Sequence, residues 1–302
     1  MAPGWWRRLP NGKAISALGF GCSSLWAKPE FGDDAAAGVL DAAVAGEINH
    51  FDTAPSYGAG TGERRLGAFL RERGRDRFAV STKVGTNLID GEVARGFDVG
   101  AMRRSLEGSL NRLGVEQVDV LYLHGPSRAD LTDELWRFLE EARASGKAAL
   151  TGMESPDLHV FEGFEASPLD VAMIHYNVAN TRAARRIAAI AAAGKTVVSG
   201  TVLGQATFSA ATFLPTSRAA LWYLARAAKN DPLFWWRGPR LARRLRATGR
   251  DPHDAAIGFV TGNPAITSGL FGTTRPAHAR SNALAGHDPL DASTRAALGE
   301  MG

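Results

Sequence analysis

The sequence predicts a (β/α)8 barrel, a TIM barrel, and three observations predict it. Short apolar runs alternate with helix-patterned segments from residue 17 to the end. The chain has 302 residues, a length that suits one large α/β core. No Gly-x-Gly-x-x-Gly follows the first apolar run, which counts against the rival open, doubly wound sheet.

The expected strands, in order, are 17–20, 48–51, 78–82, 118–123, 148–151, 171–175, 196–199 and 267–271. The helices between and after them are expected near 33–45, 61–73, 99–113, 131–145, 155–166, 182–193, 252–262 and 276–285. Several carry boundary signals. Thr132 precedes Asp133 and Glu134 as an N-cap, Gly146 follows Ser145 at a helix end, and Pro252 and Pro276 sit in first turns. The whole of 1–302 is read as one barrel domain, with an enlarged helical insert at about 207–250 after strand seven.

Composition narrows the classes. Hydrophobic residues are 45% and charged residues 22%, ordinary for a globular enzyme. A net charge of +4 is too weak to imply nucleic acid, and it suits an anionic small ligand equally well. The one cysteine, Cys22, excludes an internal disulfide and a thiolate metal cluster; it fits a reducing cytosol, so a cytoplasmic location is expected. The N-terminal segment has no apolar signal-peptide core, and no apolar run reaches the roughly 18 residues of a membrane span.

Four polar residues mark the C-terminal side of successive runs. INHFDTAPSYG (48–58) carries Asp52 and Tyr57, FAVSTKVG (78–85) carries Lys83, and VDVLYLHGP (118–126) carries His124. In a barrel the reactive groups come from that end of the strands. Taken singly, Asp52 reads as a turn cap, Lys83 as a solvated strand end and His124 as a core imidazole. Their joint position on three neighbouring strands favours a proton-transfer site. Tyrosine is a poor acid, with an ordinary pKa near 10, and an adjacent ammonium lowers it. Lys83 is expected to do this, with Asp52 orienting Lys83 and His124 fixing a carbonyl oxygen. The set suits protonation of an oxygen as the neighbouring carbon gains hydride. No side chain supplies hydride, so a nicotinamide cofactor is required.

The stretches FDTAPSYGAGTGERRLGAFL, STKVG and VDVLYLHGP resemble the aldo-keto reductase superfamily, and the resemblance runs from LPNGKAISALGFG (9–21) to FGTTRPAHARSNALA (271–285). It implies a barrel, a catalytic tetrad at Asp52, Tyr57, Lys83 and His124, and NADP(H)-dependent interconversion of a carbonyl and an alcohol. SGTVLGQA (199–206) resembles the loop that wraps the cofactor pyrophosphate, through Thr201, Leu203, Gly204 and Gln205. GTTRPAHARSN (272–282) resembles the motif for the adenosine 2′-phosphate, with Gly272, Thr273, Thr274, Arg275 and Asn282 as its residues. Arginine there favours NADPH over NADH.

Departures cluster at the nicotinamide end. Glu154 and Ser155 replace the family's usual Ser-Asn pair, Met173 its glutamine and Gly200 its stacking aromatic, while Ser281 stands where an acid often meets the adenine. Two outcomes stay open: Glu154, Ser155 or Asn177 substitutes in the cofactor contacts, or the cofactor binds weakly. An unpaired buried carboxylate at Glu154 is costly.

From Arg226 to Arg250 the insert has eight Lys or Arg against one acid, Asp231, together with Trp235 and Trp236. It reads as two helices around a broken turn, packed on the barrel, closing over the substrate as a lid, or meeting a polyanion; Leu241 and Leu245 mark a packed face. The leading functional expectation is reduction of an aldehyde or ketone, or oxidation of an alcohol or sugar, on a small-molecule substrate. Neither nucleic acid nor membrane is expected as a partner. The departures keep two alternatives open: a cofactor-binding regulatory protein with a reductase fold, and a lyase or isomerase that uses the four residues without nicotinamide.

Overall fold

The structure is a computed structural model that describes residues 4–299, apart from 207, 210–220, 222–223, 226–227 and 229–232. Eight parallel strands close into a barrel in chain order: β1 Leu18–Gly21, β2 His50–Asp52, β3 Ala79–Val84, β4 Val118–His124, β5 Ala148–Ser155, β6 Val171–Ile174, β7 Thr196–Ser199 and β8 Ser268–Phe271. Phe271 of β8 registers with Phe20 of β1 and completes the ring.

Side-chain alternation along each strand sorts the residues into two cores. Ala79, Val120, Tyr122, Leu150, Val171, Met173, Val198 and Leu270 fill the barrel interior. Leu9 and Ile15 join them from the N-terminal hairpin, Trp6–Arg8 paired with Ala14–Ser16, which stoppers the bottom of the barrel. The other parity faces outward. Phe20, Phe51, Val80, Leu121, Leu123, Met153, Ala172, Ile174, Val197 and Phe271 pack beneath the helices. The interior parity runs on from Ala79 to Lys83, from Tyr122 to His124 and from Leu150 to Glu154. Polar groups at these strand ends therefore point into the upper mouth.

The helical layer comprises α1 Asp33–Ala45, α2 Thr61–Arg73, α3 Val99–Leu113, α4 Asp133–Ala144, α5 Ala184–Ala192, α6 Phe234–Arg246, α7 Pro252–Thr261, α8 Pro276–His287 and α9 Ala292–Gly299. The Thr132 hydroxyl accepts from the Leu135 amide at 3.3 Å, so that cap forms as expected, and Pro252 and Pro276 occupy first turns. No α-helix forms over 155–166. Two short 3-10 turns, Leu158–Phe161 and Phe164–Ala166, stand there, because Pro156 opens the segment and Gly163 breaks it at φ 78°. An antiparallel hairpin, Thr86–Ile89 with Glu92–Arg95, follows β3 and turns on Asp90 and Gly91, both at positive φ.

Of the insert, residues 233–250 form the longest continuously described stretch. There α6 buries Ala242 and Leu245 and half-buries Leu241, as their spacing predicts. Trp235 and Trp236 do not join that face; they are 49% and 68% exposed. Arg244 donates to the carbonyls of Ala297 and Leu298 at 2.6 and 3.0 Å, so this arginine ties α6 to the end of α9. The expected first helix of the insert lies mostly outside the described residues. Among the described residues, no helix is long and apolar enough to cross a membrane.

Inside the barrel, His50 of β2 passes over Gly19 of β1, where a Cβ would lie 2.5 Å from the imidazole, and meets the Ser268 hydroxyl of β8 at 2.9 Å. Burial pushes the His50 imidazole down to about 4. The unfolded chain takes up that proton near 6.5, so between these values the unfolded state binds more protons and stability falls with pH. The expected loss from His50 is on the order of 3 kcal/mol between about pH 7 and pH 4. Urea unfolding at both ends of that range measures it, and His50→Asn should flatten the dependence.

Candidate active site

Tyr57 reaches the mouth on a loop that the sequence Tyr-Gly-Ala-Gly bends tightly. Gly58, Ala59 and Gly60 all have positive φ, and a Cβ on Gly58 would lie 1.8 Å from the Ala27 carbonyl oxygen. Only glycine fits that approach. The loop therefore seats against the turn at Trp26 and Ala27, and Tyr57 is carried back over the end of β2.

Asp52, the last residue of β2, is buried among donors. Its Oδ1 accepts from the Ser81 hydroxyl at 2.7 Å and its Oδ2 accepts from Lys83 Nζ at 2.5 Å. Lys83 also donates to the Thr53 carbonyl at 2.9 Å, and its Nζ stands 4.9 Å from the centre of the Tyr57 ring. His124, the last residue of β4, meets the Tyr57 ring edge-on, with centroids 6.0 Å apart. The structure thus brings all four residues into one cluster.

The electrostatics follow from burial. Burial opposes the Lys83 ammonium, yet Asp52 and then the Tyr57 oxygen outweigh it and lift its pKa above lysine's ordinary value. The expected pull of Lys83 on the Tyr57 phenol is present, yet burial outweighs it. Burial raises its pKa; Lys83 offsets part of that rise, and the net direction is upward. Tyr57 is therefore a protonated phenol at neutral pH, with a proton to give. Burial, reinforced by Lys83, pushes His124 down to about 4, so its imidazole is neutral. Its Nδ1 is buried without a hydrogen-bond partner, and its Nε2 lies 3.7 Å from Glu154 Oε2.

Glu154 is not the unpaired carboxylate its burial implied. Its Oε1 is 3.0 Å from Nε2 of His175, a residue just past β6 that the sequence reading missed. Contacts to His175 and His124 overcome burial and hold the Glu154 carboxyl below the usual carboxylate value. The signal for His175 was the one that revealed the others, a polar residue ending the apolar run Val171–Ile174. Ser155 is buried, its hydroxyl accepting from the Asp157 amide at 3.1 Å. Asn177 is already committed. Its amide nitrogen donates to the Thr201 carbonyl at 2.8 Å and to the Thr201 hydroxyl at 3.3 Å, while its oxygen accepts from the amides of Ala179 and Asn180 at 2.9 and 3.0 Å. It anchors the loop after β7 and has no amide left for a carboxamide.

That loop carries Thr201, Leu203 and Gly204, with a 3-10 turn over Gly204–Ala206 that includes Gln205. At Gly204 (φ 49°) a Cβ would strike the Asn177 side chain at 2.8 Å. On the neighbouring side of the mouth, Gly272, Thr273 and Thr274 lead into α8. Arg275 takes the N-cap position of the helix and is exposed, and the Thr273 hydroxyl accepts from its amide at 3.1 Å. A helix N-terminus beside an exposed guanidinium suits a phosphate. Asn282, two turns further on, is buried with its Oδ1 lacking a partner, as an atom awaiting a donor from a bound group would be. These residues fit a phosphorylated dinucleotide. Ser281 is exposed on the same helix and donates to the His278 carbonyl at 3.2 Å.

Comparison with known proteins agrees with this architecture. The chain is 38% identical over 168 residues to a D-threo-aldose 1-dehydrogenase from a Pseudomonas species, a match covering 48% of this chain and 51% of that protein. The chain thus spans about half the length of that curated relative. An aldo-keto reductase from Bacillus halodurans, solved in its holo form, superposes with a TM-score of 0.80 at 21% identity, covering 99% of this chain and 96% of that one. A Klebsiella pneumoniae aldo-keto reductase in complex with NADPH gives 0.74 at 18% identity, covering 99% and 95%. The model of the Aldo/keto reductase family matches residues 17–301, nearly the whole length, and the chain therefore belongs to that family.

Proposed function

We propose that this protein is an NADPH-dependent oxidoreductase that interconverts a carbonyl and an alcohol on a small, sugar-like substrate. The observation that carries the reading is the buried line from Asp52 through Lys83 to the Tyr57 ring, with His124 set against its edge. In the reducing direction Tyr57 gives its proton to the substrate oxygen. Lys83 stabilises the phenolate left behind, and Asp52 keeps Lys83 charged and aimed. His124, held neutral, carries one ring proton with which to hold that oxygen. In the oxidising direction the same groups act in reverse, and the Tyr57 oxygen takes the alcohol proton. When bound, NADP(H) supplies or accepts the hydride.

Arg275, Thr273, Thr274 and Gly272 are the residues to hold the adenosine 2′-phosphate, with Asn282 toward the adenine. Thr201, Leu203, Gly204 and Gln205 would hold the pyrophosphate, and Glu154 and Ser155 would border the nicotinamide end. The NADPH-bound relative and the aldose dehydrogenase relative support the cofactor and substrate classes. Fluorescence titration tests the first half of this reading. NADPH should bind at least about tenfold more tightly than NADH, the share of a charge-assisted phosphate contact. A panel of aldoses with NADP+ tests the second half. Absence of NADPH binding would sink the reading.

A further inference from the structure

Glu154, His175 and Gly200 form a single device at the mouth. The Gly200 amide donates to the Ile174 carbonyl at 3.0 Å, which sets the end of β7 beside the residue after β6. A Cβ built on Gly200 would lie 3.2 Å from His175 Cδ2 and 3.6 Å from its Nε2. The imidazole thus occupies the room that a side chain at 200 would need. One edge of that ring is fixed by Glu154 at 3.0 Å, yet the His175 side chain stays 36% exposed while that of Glu154 is only 10% exposed. A core histidine is enclosed, and a surface histidine swings freely. This one is clamped by a buried carboxylate and left partly open.

Among the described residues, no three imidazoles, carboxylates or thiols converge as metal ligands, so the pair does not read as part of a metal site. Its position relative to the acid suits a different role. Hydride transfer needs the donor ring about 3–3.5 Å from a carbon whose oxygen contacts Tyr57 and His124. His124 neighbours Glu154 at 3.7 Å, and Glu154 holds His175. These contacts link His175, through Glu154, to the side of the mouth where His124 stands.

We propose that the His175 imidazole is the platform against which the nicotinamide ring packs. Glu154 sets its angle, and the missing side chain at Gly200 clears its place. The proposal rests on the nicotinamide reading given above. Its test measures dissociation constants for NADPH and for 2′,5′-ADP, a fragment without nicotinamide, with the wild-type chain, His175→Ala and His175→Phe. His175→Ala should weaken NADPH roughly five- to tenfold, the range of aromatic stacking, and leave 2′,5′-ADP unchanged. His175→Phe should restore NADPH binding to within about threefold of wild type, because it keeps a flat ring. Unchanged NADPH binding in His175→Ala overturns the proposal. So does an equal loss of both ligands, or a His175→Phe variant as weak as the alanine. A wild-type chain that binds 2′,5′-ADP but not NADPH overturns the nicotinamide reading itself, and this proposal with it.

Discussion

Tyr57→Phe should lower carbonyl turnover by about 10²–10⁴-fold, the range for a positioned general acid. The substitution removes one oxygen and keeps the ring. The contact with Lys83 Nζ at 4.9 Å and the edge-on contact with His124 at 6.0 Å both survive it. Substrate and cofactor then bind much as before, so the loss should fall on kcat, with KM and the NADPH dissociation constant changed less than about threefold. That division identifies a group acting in the transition state. The wild-type pH profile gives a second check. Burial holds the phenol above its ordinary pKa, so reduction should decline only on the alkaline side, beyond about pH 10. A Tyr57→Phe variant within threefold of wild-type kcat would refute the assignment, and His124 would then be the candidate donor.

The barrel was legible because each repeat pairs an apolar run with a helical pattern, and because polar groups at strand ends conflict with burial unless they have work to do. Asp52, Lys83 and His124 stood out for that reason. His175 obeys the same rule and was passed over, although it closes the run expected as a strand over 171–175; the strand itself ends at Ile174. Side-chain parity from Met173 would have found it, but parity needs the strand's register, and the sequence alone left that open. Sequence also turned Gly200 into a loss. A glycine registers as an absent side chain, whereas the space above it is filled from a neighbouring strand. Asn177 failed the other way, because a buried asparagine looks available until its four side-chain hydrogen bonds are counted. The helix expected over 155–166 ignored Pro156 and Gly163. The hairpin at 86–95 carried its Asp90-Gly91 turn in plain view.

Lys83→Met should cost about 3–5 kcal/mol of stability as well as activity, the usual penalty for removing one partner of a buried ion pair. Methionine keeps most of the stem volume, so packing changes little. What changes is Asp52. It is 3% exposed and would retain only the Ser81 hydroxyl, 2.7 Å from its Oδ1. The ammonium that balanced it at Oδ2 is gone. Pairing the change with Asp52→Asn separates the two roles of Lys83. A neutral amide needs no counter-charge, so the double variant should recover much of the lost stability in urea unfolding. Turnover should not recover, because nothing then stabilises the Tyr57 phenolate as its proton leaves. A single variant destabilised by less than about 1 kcal/mol, the value of an exposed pair, would show that water reaches Asp52 and that the pair is not sealed. Recovery of turnover in the double variant would detach Lys83 from the chemistry altogether and leave Asp52 and Lys83 as a structural pair beneath the mouth.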